Sequence, residues 1–227
     1  MATGYEIKEL AKEESWRMFR IIGEFVEGFD KLSGIEPAVT VYGSSRLKPD
    51  DRLYAETEEI AYRLGQAGFS IVTGGGPGVM EAANKGARRA GVTSVGLNIS
   101  LPEEQICNAY TTKSMRFDHF FTRKVMLVKY ALAFVIIPGG LGTLDELTEI
   151  LTLMQTHKIK PFPVVLFNSE FWNGFLDWLR SSVLFRQYVS EKDFDLLRVL
   201  DDPDEVVEAI RRWYVGHEVI GKKALRK

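Results

Sequence analysis

The chain has 227 residues, of which 45% are hydrophobic, and this length and composition suit one α/β domain with a full core better than two smaller domains. Its 29 basic and 31 acidic residues give a net charge of −2 without a long basic run, which argues against nucleic acid as a partner. There is a single cysteine, no recognisable cleavable leader, and no apolar stretch near the roughly 20 residues that cross a bilayer. We therefore expect a cytoplasmic protein with no membrane partner.

The first predicted element is an amphipathic helix over residues 8 to 32. Apolar residues from Trp16 to Phe29 recur there at steps of three and four, with charged residues between them. The helix lies outside the repeating pattern that follows, so residues 1–36 are expected to form a helical extension packed on the domain. We favour a helix that covers one face of the sheet; a helix that binds a partner is the alternative.

From residue 38 onwards, predicted strands and helices alternate. The elements are a strand with a small-residue turn at 38–46, a helix at 52–67, strands at 69–73 and 92–99, and a glycine turn with a helix at 74–91. Parallel strands need crossover helices between them. The alternation therefore predicts an α/β fold with a Rossmann-like, doubly wound parallel sheet flanked by helices, in a single domain over residues 37–215.

The stretch that follows is polar and irregular. Residues 100 to 118 are too long for a simple connection and are predicted to form a flap over the site. The next helix begins near His119 and carries two adjacent charges, Arg123 and Lys124, among apolar residues. These charges either lie at a solvated edge with their stems buried or point into a cleft at the carboxyl ends of the strands. Arg123 suits the cleft better, because its planar fork pairs with phosphate or carboxylate at two points.

The centre of the chain is a strand, a glycine-rich turn and the start of a helix. Residues 131–137 are almost wholly apolar, as in a strand buried on both faces, and the turn PGGLG follows at 138–142. Thr143 is predicted to be the N-cap of the next helix. Such a helix start carries unpaired N–H groups and the positive end of a dipole, so it attracts a phosphate. The alternative is structural: Thr143 and Glu146 form a capping box, and the glycines only make the turn.

A second glycine-rich turn favours the phosphate site. GGGPG at 74–78 also follows an apolar strand, and the small-residue turn GSSR occupies 43–46. Three such turns at the carboxyl edge of one sheet indicate a nucleotide or sugar phosphate as the ligand. Neither glycine turn has the Gly-Lys-Ser/Thr of an NTPase loop, and the strand ending at Asn98 lacks the acidic residue that binds ribose in dinucleotide enzymes. Both of those classes are disfavoured.

The last part of the chain continues the pattern. Residues 162–167 predict a buried strand, 171–183 a helix, 195–200 a last or edge strand and 203–215 the closing helix. Residues 216–227 are expected to form a basic, frayed tail.

Three motifs, GGGPGVMEAANKGA, FFTRK and PGGLGTLDE, occur in this order between about Val39 and Phe167. Together they resemble the LONELY GUY (LOG) family, many of whose members carry the label "possible lysine decarboxylase". The resemblance implies a Rossmann-like fold, at least a dimer, and phosphoribohydrolase activity. In that reaction a nucleoside 5′-monophosphate is hydrolysed to the free base and ribose 5-phosphate.

The resemblance also implies roles for residues. The motif arginine and the last glutamate of PGGxGTxxE are catalytic in the family, which transfers to Arg123 and Glu146. The glycines and the threonine of that motif bind phosphate. For Glu81, an ordinary acidic residue in a first helical turn is an equal alternative to a site role. We expect substrate contacts from the turns, the motifs and their neighbours: Gly43, Ser44, Ser45, Gly74, Gly75, Gly76, Glu81, Met115, Lys124, Pro138, Gly139, Gly140, Gly142 and Thr143.

The sequence departs from the family pattern in one place. Cytokinin-activating members read M-H-E-R-K where this chain has Phe120, Phe121, Thr122, Arg123 and Lys124, so the histidine and the glutamate before the charged pair are absent. The catalytic pair is intact, but the base preference is open. The substrate is AMP, a prenylated (N6-modified) adenine nucleotide, or another purine or pyrimidine monophosphate.

The implied chemistry suits these residues. Breaking an N-glycosidic bond develops positive charge on the ribose. Glu146 would stabilise that charge or activate water, and Arg123 would orient the carboxylate or stabilise the departing base. Asp145 and Glu149 are expected to be solvated.

Two other classes of function stay open. A pyridoxal-phosphate-dependent decarboxylase would need Lys124 for its cofactor, but nothing pairs it with an acid for the pyridine nitrogen. A module that only binds a nucleotide or a pterin phosphate would use the turns without Arg123 and Glu146. We expect no cofactor and no metal, because the three histidines form no H-E-x-x-H motif. A homodimer or higher homo-oligomer is expected, since the helices at 8–32 and 120–132 are more apolar than one sheet face needs.

Overall fold

The computed structural model describes residues 7–101 and 107–224. Within these ranges the strands are β1 (Ala38–Tyr42), β2 (Ser70–Thr73), β3 (Ser94–Ile99), β4 (Lys113–Phe117), β5 (Ala131–Ile136), β6 (Val164–Phe167) and β7 (Leu197–Leu200). The helices are α1 (Ile7–Leu32), α2 (Arg52–Gln66), α3 (Val79–Ala90), α4 (Phe120–Lys129), α5 (Leu141–Gln155), α6 (Ser169–Trp178), α7 (Glu191–Phe194) and α8 (Pro203–Ala224).

The seven strands form one parallel sheet in the order β4-β3-β2-β1-β5-β6-β7. The chain starts in the middle at β1, winds outwards to β4, and returns through α4 to β5 on the other side of β1. This confirms the predicted Rossmann-like, doubly wound α/β fold. The winding direction reverses between β1 and β5, where Tyr42 aligns with Ile136. The turns that leave two strands at such a point diverge, which makes it the usual position of a ligand.

Helices pack on both faces of the sheet because strand side chains alternate between two apolar cores. Ala38 and Tyr42 of β1 belong to the core under α4, α5 and α6, whereas Val39 and Val41 belong to the core under α2, α3 and α8. Burying one large apolar side chain contributes about 1.5–3 kcal/mol, and a slip of one residue would exchange the two faces. The register, and with it the carboxyl edge of the sheet, is therefore strongly determined.

Part of the stretch that was predicted to be an irregular flap is a strand. β4 pairs in parallel with β3, and Met115 and Phe117 point into the protein while the other three residues of β4 are exposed. The prediction over 100–118 is wrong here because an edge strand with one solvated face carries polar residues. Residues 102–106 of the predicted flap lie outside the described residues.

α1 does not cover a face of the sheet along its whole length. Its apolar side chains Trp16, Phe19 and Ile22 are 70%, 66% and 50% exposed. In the second half of α1, Phe25 and Leu32 join the core beside α4. The favoured prediction is therefore wrong for the stretch from Trp16 to Ile22. An amphipathic pattern shows that a helix has an apolar stripe and not what the stripe contacts.

The C-terminal part differs from the prediction in two places. α8 continues to Ala224, so residues 216–224 of the expected tail are helical, and 225–227 lie outside the described residues. α6 ends at Trp178, and a short π-helical segment, Leu179–Leu184, follows it. Across the described ranges, no helix combines the length and the apolar character that crossing a membrane requires.

Candidate active site

Three turns meet at the carboxyl edge where the sheet reverses direction. The turn after β1 lies between the other two: the Ser44 N–H donates to the Pro138 carbonyl at 3.1 Å, and the Ser44 carbonyl accepts from the Val79 N–H at 3.0 Å. The Ile137 N–H donates to the Tyr42 carbonyl at 2.8 Å. These backbone hydrogen bonds hold the turns together, so the cleft between them is preformed.

The cleft has a volume of about 530 Å³, which lies in the usual range for small-molecule sites. Nine of the residues predicted for the site line it: Gly43, Ser44, Ser45, Gly74, Arg123, Gly140, Gly142, Thr143 and Glu146. The other lining residues are Val41, Tyr42, Arg46, Met80, Phe120, Leu141 and Asp145.

The turn after β5 ends in an uncapped helix start. α5 begins at Leu141, its N-cap is Gly140, and no side chain caps it. The prediction of Thr143 as the N-cap is therefore wrong: Thr143 lies in the first turn, and its N–H donates to the Gly140 carbonyl at 3.0 Å. A Cβ on Gly139 would overlap the Thr143 hydroxyl, so only glycine fits there. The first N–H groups of α5 and the positive end of its dipole remain at the cleft, an arrangement that binds anions.

Glu146 lies in the second turn of α5 and lines the cleft. It is only 7% exposed, and its Oε2 atom has no hydrogen-bond partner among the described residues. The capping box is absent, since the N-cap is Gly140 rather than Thr143. Burial raises the pKa of the Glu146 carboxyl to about 7, against the opposing charges of Arg123 and Lys124. A carboxyl with a pKa near neutrality can gain or lose a proton during a reaction.

Arg123 reaches the same cleft from α4. Its Nε donates to the Leu97 carbonyl at 2.7 Å, which anchors the side chain at the end of β3. Gly74 leaves room for the guanidinium, because a Cβ there would overlap Nη2. Burial lowers the pKa of Arg123, whereas the negative charge of Glu146 raises it. The guanidinium thus lies inside the cleft near Glu146 and not at a solvated edge.

Tyr42 is a further ionisable side chain of the cleft, and the sequence did not single it out. It is 6% exposed, and within the described ranges its hydroxyl has no hydrogen-bond partner. Burial and the charge of Glu146 raise the pKa of Tyr42, so the hydroxyl stays protonated and can donate a hydrogen bond. The available signal was its position as the last residue of a buried strand, directly before a small-residue turn.

The remaining cleft residues were also missed, although several stand directly beside a predicted residue. Arg46 follows Ser45, Leu141 lies between two predicted glycines, and Asp145 precedes Glu146. Phe120 lies one helical turn before Arg123 and is 56% exposed. Residues that are neighbours in a tight turn or on one helix face line the same cleft. Adjacency to a predicted residue is therefore the signal that could have identified these residues.

Several predicted contact residues lie outside the cleft lining. Lys124 pairs with Asp145 at 2.9 Å and with Glu149 at 3.3 Å, which ties α4 to α5. Glu149, which was expected to be solvated, is partly buried, with a side chain that is 33% exposed. Glu81 accepts a hydrogen bond from the Tyr54 hydroxyl at 3.1 Å.

The structure also places Met115 and Pro138 away from the cleft lining. Met115 is 4% exposed and belongs to the core, and Pro138 supplies its carbonyl to the Ser44 N–H. Both residues therefore make contacts within the protein and do not face the cleft.

Gly75 and Gly76 lie in the turn after β2, which closes over a buried polar network. The Thr73 hydroxyl donates to Oδ1 of Asn84 at 2.6 Å and accepts from the Gly75 N–H at 2.9 Å. The amide nitrogen of Asn108 donates to the Gly76 carbonyl at 3.0 Å. These glycines are therefore held by the protein's own side chains.

The fold and the cleft define a class: an α/β protein with an uncapped helix start at its topological switch point, beside a buried glutamate and a partly buried arginine. A family model described as "Possible lysine decarboxylase" matches residues 80–210. The chain therefore belongs to this family, the LOG family that its motifs resemble.

Comparison with known proteins agrees with this assignment. The cytokinin riboside 5′-monophosphate phosphoribohydrolase of Mycobacterium tuberculosis is 31% identical over 164 residues, which are 69% of this chain and 86% of that protein. The pyrimidine/purine nucleotide 5′-monophosphate nucleosidase of Escherichia coli is 28% identical over 142 residues, 56% of this chain and 30% of that protein. The molybdenum cofactor binding protein of Rippkaea orientalis shares the fold, with a TM-score of 0.57 at 21% identity over 78% of this chain and 95% of that chain. The family therefore includes proteins that cleave nucleotides.

Proposed function

We propose that this protein is a phosphoribohydrolase that cleaves the N-glycosidic bond of a nucleoside 5′-monophosphate. The observation that carries the proposal is the Glu146 carboxyl, buried and without a hydrogen-bond partner among the described residues, one helical turn from the uncapped start of α5. A carboxylate beside an anion site repels the anion and is costly to bury. A carboxylate in this position becomes favourable when another part of the ligand develops positive charge, as ribose does when its glycosidic bond breaks.

In the proposed reaction the bond between C1′ and the base nitrogen breaks, and its electron pair leaves with the base. The oxygen of a water molecule bonds to C1′, and one proton of that water ends on the base, so the products are the free base and ribose 5-phosphate. Ionised Glu146 stabilises the ribosyl cation and accepts the proton of the attacking water. The pKa of about 7 suits both tasks near neutral pH.

The other groups of the cleft have matching roles in this proposal. The phosphate binds at the start of α5, which supplies N–H donors, and at the turn of Ser44 and Ser45, which supplies hydroxyl donors. One turn of helix, about 5.4 Å, separates this position from Glu146, which is a fitting distance for ribose. Arg123 orients the Glu146 carboxylate, and Tyr42 donates a hydrogen bond to the sugar.

The base is the part of the substrate that the cleft defines least. Phe120 offers a partly exposed ring against which any base can stack, and the residues that follow it, Phe121 and Thr122, replace the histidine and glutamate of cytokinin-activating members. AMP and N6-modified adenine nucleotides are our first candidates, since a mycobacterial relative is named for a cytokinin riboside monophosphate. The relative from Escherichia coli is named for pyrimidine and purine nucleotides, so both base classes belong in the test.

Two other activities fit the side chains less well. A pyridoxal-phosphate enzyme needs a lysine that can form a Schiff base, but Lys124 is held as an ammonium ion between Asp145 and Glu149. A module that only binds a phosphate ligand has no use for the buried carboxylate of Glu146. We therefore rank hydrolysis before either of them.

We also propose that the protein works as a homodimer, with residues 1–36 as an extension that takes part in assembly. α1 and α4 pack side by side, and the exposed apolar residues of α1 continue into Phe121 and Val125 of α4, which are 48% and 44% exposed. Apolar surface of this extent usually marks an interface. Light scattering at micromolar concentration should give twice the mass of 25.7 kDa, and a monomer would contradict the proposal.

The activity is tested by incubating the protein with adenine, guanine, cytosine and uracil nucleoside 5′-monophosphates and N6-prenyl-AMP, then separating free bases by chromatography. We expect release of at least one base together with ribose 5-phosphate, without added metal, NAD or pyridoxal phosphate. The matched nucleosides are the control, because they lack the phosphate that anchors the substrate. Equal turnover of a nucleoside and its nucleotide would contradict the phosphate-binding role of the turns.

A further inference from the structure

The carboxylate of Glu24, on α1, is held against the start of α4. Its Oε1 accepts a hydrogen bond from the Asp118 N–H at 2.8 Å and lies 3.0 Å from Nδ1 of His119, and its Oε2 accepts a short hydrogen bond from the Thr122 hydroxyl. The Glu24 and His119 side chains are only 12% and 13% exposed. His119 is the N-cap of α4 but makes no side-chain capping bond of its own. Glu24 therefore ties α1 to the residues at the start of α4.

The rest of the α1 and α4 contact keeps Glu24 in this position. Gly28 brings the two helices close, because a Cβ there would lie 2.9 Å from the Met126 side chain. Further along, the Tyr130 hydroxyl donates to the Phe29 carbonyl at 3.4 Å. The two helices thus run side by side in the same direction, with Glu24 at the end nearest the cleft.

Glu24 is connected to Arg123 through Thr122, whose hydroxyl it contacts. Thr122 precedes Arg123, and the Arg123 N–H donates to the His119 carbonyl at 3.3 Å, an oxygen that also lies 2.8 Å from the Thr122 hydroxyl held by Glu24. The Arg123 side chain has one further anchor, the hydrogen bond from its Nε to the Leu97 carbonyl. The backbone of Arg123 is thus set by the first turn of α4, and that turn is set by Glu24.

We propose that Glu24 is a positioning residue: through the first turn of α4 it sets the place of the Arg123 guanidinium relative to Glu146, and the reaction depends on it. The inference rests on the proposed function. Glu24 lies outside residues 80–210, the part of the chain that matches the family model, so the chain's own N-terminal helix supplies this carboxylate. The carboxylate also faces the positive end of the α4 dipole, which stabilises both.

The test compares Glu24→Gln with Glu27→Gln. Glu27 is the matched control, because it lies on the same helix, is 52% exposed and pairs with Lys31 one turn along α1. In Glu24→Gln we expect kcat to fall by about ten- to a hundredfold, as for a small misplacement of a catalytic group, while KM changes by less than about threefold because the phosphate turns are intact. Glu27→Gln should leave both parameters unchanged. A kcat of Glu24→Gln equal to that of Glu27→Gln would overturn the inference.

A spectroscopic measurement reports the position of Arg123 without turnover. The Nε–H resonance of Arg123, identified by its loss in Arg123→Lys, should shift or broaden in Glu24→Gln and stay in place in Glu27→Gln. If the wild type cleaves no nucleotide, the proposed function fails, but this resonance still decides the inference: an unmoved signal in folded Glu24→Gln overturns it, and a selective shift supports it.

A double variant separates positioning from general stability. Position 122 is the third residue of α4, from which a glutamate reaches back to the N-cap N–H. We expect Glu24→Ala to lower kcat and Glu24→Ala with Thr122→Glu to restore a large part of it, because the carboxylate returns to the same helix start. Recovery of the melting temperature without recovery of kcat would show a structural role only and would overturn the inference.

Discussion

Two glycine-rich turns flank β1, GGGPG at 74–78 and PGGLG at 138–142, and they use glycine for different reasons. In the first, Gly75 and Gly78 have φ values of 73° and 69°, a region that only glycine adopts without strain. No glycine of the second turn has a positive φ; a Cβ on Gly139 would overlap Thr143, and Gly140 and Gly142 face open space. Similar sequences thus encode a left-handed backbone conformation in one turn and a close approach to Thr143 beside open space in the other.

The carboxylates that follow the two turns differ in the same way. Glu81, in the first turn of α3, accepts a hydrogen bond from the Tyr54 hydroxyl and lies outside the cleft lining. Glu146 is buried at the cleft, and its Oε2 has no partner among the described residues. A turn whose polar groups are satisfied by the protein is structural, and a turn that leaves polar groups unpaired is a candidate binding site. The predictions below test this distinction.

The largest effect is expected for Glu146→Gln. The amide keeps the shape of the side chain but cannot carry the charge that stabilises a ribosyl cation, so turnover should fall by about 10²- to 10³-fold with nucleotide affinity retained. Glu81→Gln is the control and should keep turnover within about twofold. Steady-state kinetics with the best substrate, beside melting curves, measures both. Near-normal turnover of Glu146→Gln would show that the reaction does not need this carboxylate and that Glu146 has a structural role.

The second prediction concerns stability and pH. Burial raises the pKa of Glu146 from 4.5 to about 7, so between these pH values the folded protein binds a proton that the unfolded chain has lost. Stability that the wild type has below pH 4.5 is therefore lost as pH rises through about 7. Relative to Glu146→Gln, the free energy of unfolding of the wild type should fall by roughly 3 kcal/mol across this window. Urea unfolding of both proteins at pH 4.5 and pH 8 is the measurement, and a constant difference would contradict the raised pKa.

The third prediction concerns the turn after β2. Gly75→Ala places a Cβ at positive φ and against Oδ1 of Asn98, so the free energy of unfolding should fall by about 2 kcal/mol or more. Denaturant unfolding measures the change. A variant as stable as the wild type would show that the backbone of this turn does not need glycine.

The smallest effect is expected for the matched change in the other turn. A Cβ on Gly140 meets nothing within 4 Å, so Gly140→Ala should leave stability within about 1 kcal/mol of the wild type. The added methyl group lies at the cleft, and we expect nucleotide affinity to fall by about tenfold, or 1.4 kcal/mol. Calorimetric titration with the preferred nucleotide tests this. Unchanged affinity would mean that the phosphate does not approach Gly140.

The sequence determined the fold to a large extent, for a local reason. β1, β2, β3, β5 and β6 were predicted because strands buried on both faces are apolar runs, and the helices between them carry a 3.6-residue stripe. β4 was missed because an edge strand has one solvated face. The exposed apolar residues of α1 from Trp16 to Ile22 were assigned to the sheet, because an apolar stripe does not identify what it contacts.

The candidate site shows the same division. Glycine turns, Arg123 and Glu146 stand in motifs that can be read along the chain, and the doubly wound topology predicts that the turns meet at one edge. The partner-free state of Glu146, the place of Tyr42 and the contact of Glu24 with α4 cannot be read this way. Burial and pairing depend on residues far away in sequence, here 94 to 98 positions apart for Glu24 and its partners. Only the packing of the helices against the sheet decides which of these polar groups pair with each other and which remain without a partner.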